Sequence, residues 1–240
     1  MPYKIIVANF KTTKRRAFFQ HYLEELKGLK KPFRQVVLCP PAPYFYLFHP
    51  FIENNPAFVL GAQDCSSVSD KPLTGDITPL MLQDYNISHV ILGHSERCMH
   101  LKEAKGVIQK KILQALAHQL KPIVCVGEPL EIKEAQKTHA YLINQLASLL
   151  PAQCAQVIIA YEPLWAIGTG KTPKAEEVQE VAQHIKDYAN LKNIDVTVLY
   201  GGSVQEKNSQ DFLALPAVDG LLVGSAALDP KALCKIANVR

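Results

Sequence analysis

The chain has 240 residues, 48% hydrophobic and 20% charged, and carries a formal charge of +4 with a pI near 8.6. That length and apolar content give a large core, enough for one α/β barrel or two smaller domains. The mild basicity gathers at Lys27, Lys30, Lys31 and Arg34 around a predicted turn without interleaved aromatics, which reads as a solvated surface and excludes a nucleic-acid site. Six cysteines (Cys39, Cys65, Cys98, Cys125, Cys154 and Cys234) are scattered with no close pair, so neither a disulfide framework nor a zinc ribbon is expected, and a reducing compartment fits. The N-terminus reaches Asn9 and Lys11 too soon to hold the apolar region of a signal peptide, and no run is long enough to cross a bilayer. A soluble, cytoplasmic protein is expected. The sequon Asn86-Ile87-Ser88 is discounted, because it needs a secretory route that nothing else in the chain suggests.

In chain order, apolar runs rich in β-branched residues span 5–8, 35–39, 58–62, 90–93, 123–126, 157–161, 196–200 and 220–223. Short and unalternating, they read as parallel strands buried on both faces. Helix-period stretches with polar faces lie between them, as at 14–29, 102–119, 131–149 and 175–190. Eight βα repeats with no linker or shift of composition predict one domain over residues 1–240, most simply a (β/α)8 barrel, with an open doubly wound sheet as the alternative.

Polar and glycine residues follow these runs: Asn9 and Lys11, Gln63 and Asp64, His94 and Glu96, Glu128, Glu162, Gly201 to Ser203, then Gly224 and Ser225. In a barrel they would share the face where βα loops build active sites, which predicts an enzyme. Glu162 ends its strand directly before Pro163, and Gly168 and Gly170 flank the rigid stretch Leu164-Trp165-Ala166-Ile167, so a carboxylate base sits beside a hinged lid. His94 precedes a short predicted helix with Ser95 or Glu96 in its first turn, a position that disfavours an imidazolium. His94-Ser95-Glu96 also matches half of a zinc-deaminase signature, but the Pro-Cys-x-x-Cys half is absent and a metal is not expected. Gly201-Gly202-Ser203 and Gly224-Ser225 follow neighbouring strands and can present backbone N–H groups to a phosphate, with Gly168 adding a third.

Asn9-Phe10-Lys11, Gly61-Ala62-Gln63-Asp64, Thr74-Gly75-Asp76, Gly93-His94-Ser95-Glu96-Arg97, Cys125-Val126-Gly127-Glu128, the lid segment Tyr161-Glu162-Pro163-Leu164-Trp165-Ala166-Ile167-Gly168-Thr169-Gly170-Lys171, Tyr200 to Val204 and Leu222-Val223-Gly224 together resemble the triosephosphate isomerase family over nearly the whole chain. The resemblance implies a TIM barrel that interconverts dihydroxyacetone phosphate and glyceraldehyde 3-phosphate, in glycolysis and gluconeogenesis, through an enediol(ate). It assigns Glu162 as base, His94 as neutral electrophile, Lys11 as the charge that offsets the developing anion, Asn9 as a positioning hydrogen bond and Glu96 as support through Lys11. The phosphate would meet the N–H groups of Gly168, Ser203, Gly224 and Ser225 under a lid spanning 163–172, with no cofactor and no metal. A homodimer is implied, its loop 63–77 inserted into the partner so that Thr74 nears the partner's Asn9 and Lys11. The chain departs from the family pattern at Phe10 (usually tryptophan), Asp76 (glutamate), Cys98 (arginine) and Ser225 (glycine), the last putting phosphate geometry in question. The competing readings are another phosphosugar isomerase or aldolase-like barrel, and a silent barrel used as a binding module.

Overall fold

The computed structural model describes residues 4–69, 71–167 and 171–239. Eight strands, β1 (Ile5–Asn9), β2 (Val36–Cys39), β3 (Phe58–Ala62), β4 (His89–Leu92), β5 (Lys121–Val126), β6 (Gln156–Tyr161), β7 (Asp195–Tyr200) and β8 (Gly220–Val223), pair in sequence order as a closed parallel barrel. Closure comes from β1 pairing with β8, Ile5 opposite Gly220 and Ala8 opposite Val223. This is the predicted (β/α)8 TIM barrel and not the open sheet. Alternate strand positions divide the core in two: Val7, Val37, Ile91, Ile123, Ile158, Leu199 and Leu222 fill the barrel, while Ile6, Leu38, Val90, Val124 and Ile159 pack outward against the helices. Burial on both faces is why the strands read as unbroken apolar runs. Gly61 shows how tight the interior is, since a Cβ there would lie 2.5 Å from Cys39 Sγ and 2.7 Å from Val37 Cγ1.

The outer ring holds α1 (Arg16–Lys27), α2 (Phe45–Glu53), α3 (Pro79–Gln83), α4 (Ser95–His100), α5 (Lys105–Ala117), α6 (Leu130–Glu134), α7 (Thr138–Leu149), α8 (Ala175–Leu191), α9 (Glu206–Leu213) and α10 (Pro230–Ala237). The helix expected over 131–149 is therefore two helices. Gln136 takes a left-handed backbone, φ 56°, which stops α6 and lets the chain turn into α7. Lys102, also left-handed at φ 54°, separates α4 from α5 and trims the stretch predicted at 102–119. α2 was hidden by its composition: it is apolar on several sides and carries Pro50, so it lacks a clear polar face. None of its helices is long and apolar enough to cross a membrane, among the described residues.

Candidate active site

The carboxyl ends of the strands bring Asn9, Lys11, His94, Glu96, Glu162, Ser203, Gly224 and Ser225 to the wall of one cavity of about 650 Å³. Gly168, the remaining predicted phosphate contact, lies outside the described residues.

Lys11 is built first from its backbone. It takes φ 51°, a left-handed conformation that costs a non-glycine residue roughly 1–2 kcal/mol. Three bonds hold it there. Its N–H donates to Asn9 Oδ1 at 3.0 Å, Gln63 Nε2 donates to its carbonyl at 2.9 Å, and its Nζ meets Glu96 Oε1 at 2.6 Å. Gln63 Nε2 also reaches the Cys39 carbonyl at 2.9 Å, tying the loop after β1 to the end of β2. With the side chains of Lys11 and Glu96 29% and 42% exposed, their ion pair aims the ammonium more than it stabilises the fold.

His94 follows Gly93, whose φ of 67° turns the chain sharply off β4, and it caps α4. Its ring Nδ1 accepts the N–H of Glu96 at 3.2 Å. An amide can only donate, so Nδ1 carries a lone pair and the proton of the neutral ring sits on Nε2, 3.3 Å from Glu162 Oε1. Glu162 is gripped at the backbone: its N–H donates to the Val126 carbonyl at 2.7 Å, and a Cβ on Gly127 would stand 1.8 Å from its carbonyl oxygen, which only glycine permits. Its carboxylate is 3% exposed. Burial pushes this carboxyl above the usual range, while His94, the Ser95 N–H and Lys11 pull the other way. Behind it Cys125 is fully buried and hydrogen-bonds the carboxylate; burial and then the charge of Glu162 raise its thiol well above normal, making it a donor and not a nucleophile.

Two residues that the sequence placed on this face without a role hold other groups in position. Glu128, 1% exposed, accepts the Tyr161 O–H at 3.1 Å and the Trp165 Nε1–H at 2.9 Å, while its carbonyl accepts the Leu164 N–H at 3.1 Å. From the other side Ser203 Oγ donates to the Ala166 carbonyl at 2.8 Å. The short helical turn Leu164–Ala166, where the predicted lid begins, is thus pinned to the ends of both β5 and β7. Glu128 and Gln63 each stand just beyond a strand, the position from which the sequence placed them on this face, though it did not show what they hold.

The family model for triosephosphate isomerase matches residues 4–240. The chain belongs to the triosephosphate isomerase family. Among its relatives, the triosephosphate isomerase of Dictyoglomus turgidum is 39% identical over 244 aligned residues, covering 97% of this chain and 98% of that protein. Those of Dictyoglomus thermophilum (37%, 97% and 98% covered) and Herminiimonas arsenicoxydans (38%, 94% of each) are similar over comparable lengths. Against the triosephosphate isomerase pattern, each departure has a local setting. Phe10 fills a buried aromatic cluster, its ring 5.6 Å from Phe19, 5.2 Å from Tyr22 and 5.8 Å from Phe48. Asp76 accepts the Ser66 hydroxyl at 2.7 Å and closes the neck of the loop 63–77. Cys98 is half-buried and directs its thiol to the Gly93 carbonyl at 3.4 Å. Ser225 opens a short helical turn and is not among the described residues with a left-handed backbone, so serine meets no strain there. The loss of a glycine leaves the N–H in place.

Proposed function

We propose that this chain interconverts dihydroxyacetone phosphate and D-glyceraldehyde 3-phosphate by proton transfer at Glu162. The observation that carries the reading is the convergence of a buried carboxylate raised by burial, an imidazole whose Nε2 faces it and a lysine side chain on one cavity rimmed by two glycine-bearing loops. Glu162 takes the proton from the carbon beside the carbonyl and returns it to the neighbouring carbon. His94 donates Nε2–H to the carbonyl oxygen, Lys11 offsets the charge of the enediolate, Asn9 places the substrate, and Glu96 aims Lys11. The pairing of a glutamate base with an uncharged histidine is carried over from this family, itself the standard illustration of it.

The phosphate would rest on the N–H groups of Ser203, Gly224 and Ser225, joined by Gly168 as residues 163–172 close and exclude water, which keeps the enediolate from expelling phosphate. The homodimer belongs to the same reading. A second hollow of about 630 Å³ adjoins the site, shares Asn9, Lys11 and Glu96 with it and is lined by Gln63 and Ile77, the two ends of the loop 63–77. That loop is exposed at Leu73 and Thr74, the tip that would enter the partner. A cytoplasmic setting is consistent with six free cysteines, five of them buried.

The deciding experiment is triose-phosphate isomerisation by purified protein beside its Glu162→Gln variant, in chelator-treated buffer. Wild-type turnover falling by about 10²- to 10⁴-fold in the variant is expected on removing an acid–base group. A folded wild type without turnover overturns the assignment.

A further inference from the structure

On the outer ring, α7 and α8 pack side by side and set three ligand-type groups against one another. His139 stands in the first turn of α7, while Glu180 and His184 lie four residues apart on one face of α8. The two imidazoles stack, centroids 3.7 Å apart and 12° from parallel, so their in-plane lone pairs run side by side and one ring must rotate for both to meet one ion, while His139 Nε2 lies 3.6 Å from Glu180 Oε1. One ligand atom from each residue falls within 4.8 Å of the other two.

Two details separate this cluster from a chance meeting of surface side chains. His184 Nδ1 stands 2.9 Å from the Glu180 carbonyl. A carbonyl only accepts, so Nδ1 bears the proton and Nε2 is left with a free lone pair, the tautomer that metal-binding histidines acquire from a backbone carbonyl. The His139–Glu180 separation is too long for a hydrogen bond. It is close to the ligand–ligand edge, about 3.3–3.6 Å, of a tetrahedron with bonds of about 2.0–2.2 Å.

We propose that His139, Glu180 and His184 bind one divalent transition-metal ion of the zinc, nickel or copper class, with water completing its shell. Two imidazoles and one carboxylate select these ions over magnesium and calcium, which take oxygen ligands. The ion clamps α7 to α8, the helix that follows the lid segment, and has no part in the proton transfer at Glu162. Binding to the folded state alone raises thermal stability.

The test is Zn²⁺ binding measured by chelator competition on the whole chain and on the His139→Gln, Glu180→Gln and His184→Gln variants, with isomerase activity as the control for folding. The expected result is one Zn²⁺ per chain, affinity at least about tenfold weaker in each variant, unchanged activity, and a zinc-induced rise in melting temperature confined to the wild type. Substituted Co²⁺ should give visible d–d bands without a thiolate charge-transfer band. Equal Zn²⁺ affinity in all four proteins, no binding at all, or a thiolate band that disappears in Cys98→Ser would each overturn the site.

Discussion

Glu162 pits reactivity against stability. Its carboxyl is raised by burial, so its favourable contribution to folding is complete below the ordinary glutamate value of about 4.3 and is lost as pH rises through the raised value. The Glu162→Gln variant cannot ionise. It is expected to melt above the wild type at about pH 7.5, the gap closing as pH falls toward about 4, and melting curves across that range check the sign. A variant that melts lower at neutral pH would show that the carboxylate is held by contacts stronger than those described. Gln63 is the other informative residue, because it holds Lys11 in a left-handed backbone without facing the reacting atoms. Gln63→Leu should relax that backbone and misplace the ammonium, lowering kcat/KM by up to about 10²-fold with little loss of secondary structure. Unchanged kinetics would mean that Asn9 and Glu96 suffice to hold Lys11.

Between elements, the strongest polar tie joins the loop after β3, the end of α4 and α5. Lys111, 5% exposed, lies 2.6 Å from Asp64 and 2.5 Å from Glu103, and Arg97 bonds the same two carboxylates at 2.8 and 3.2 Å. Burial would raise the Glu103 carboxyl, but Lys111 and Arg97 outweigh it and hold it low, so this stability is present above the ordinary glutamate range and disappears as pH falls through the depressed value. Lys111→Met leaves both carboxylates to Arg97 alone and should cost about 1.5–3 kcal/mol in urea unfolding at neutral pH, with a smaller difference in acid. Strands were the legible part of the sequence. Val157 to Tyr161 and Gly220 to Val223 are buried on both faces, so their apolar runs coincide with their ends to within a residue or two. The break between α6 and α7 was not legible: Gln136 is an ordinary helix former that takes an exposed left-handed turn, with no glycine or asparagine to mark it. Site residues were readable where chemistry sits in the side chain, as at Glu162 and His94. They were opaque where it sits in geometry, as with the glycine packing of Gly127 against Glu162 and the anchoring of Trp165 by Glu128.

At the scale of the whole molecule, the hollow beside Asn9 and Lys11 predicts that activity depends on assembly. Specific activity should fall on dilution together with the dimer fraction seen by analytical ultracentrifugation, and Thr74→Arg, which in the proposed dimer would put a cation against the partner's Lys11, should yield a folded and weakly active monomer. A fully active monomer would remove the partner from the site. The closing of the barrel has a further consequence, one of time. Lys4, just ahead of β1, spans 214 positions to the carbonyl of Val218, and the last strand that β1 needs lies just beyond it. At synthesis rates of about 5–20 residues per second, the first strand therefore waits about 10–40 s on the ribosome for its second neighbour. For that interval its apolar edge must be sheltered by something other than the finished fold.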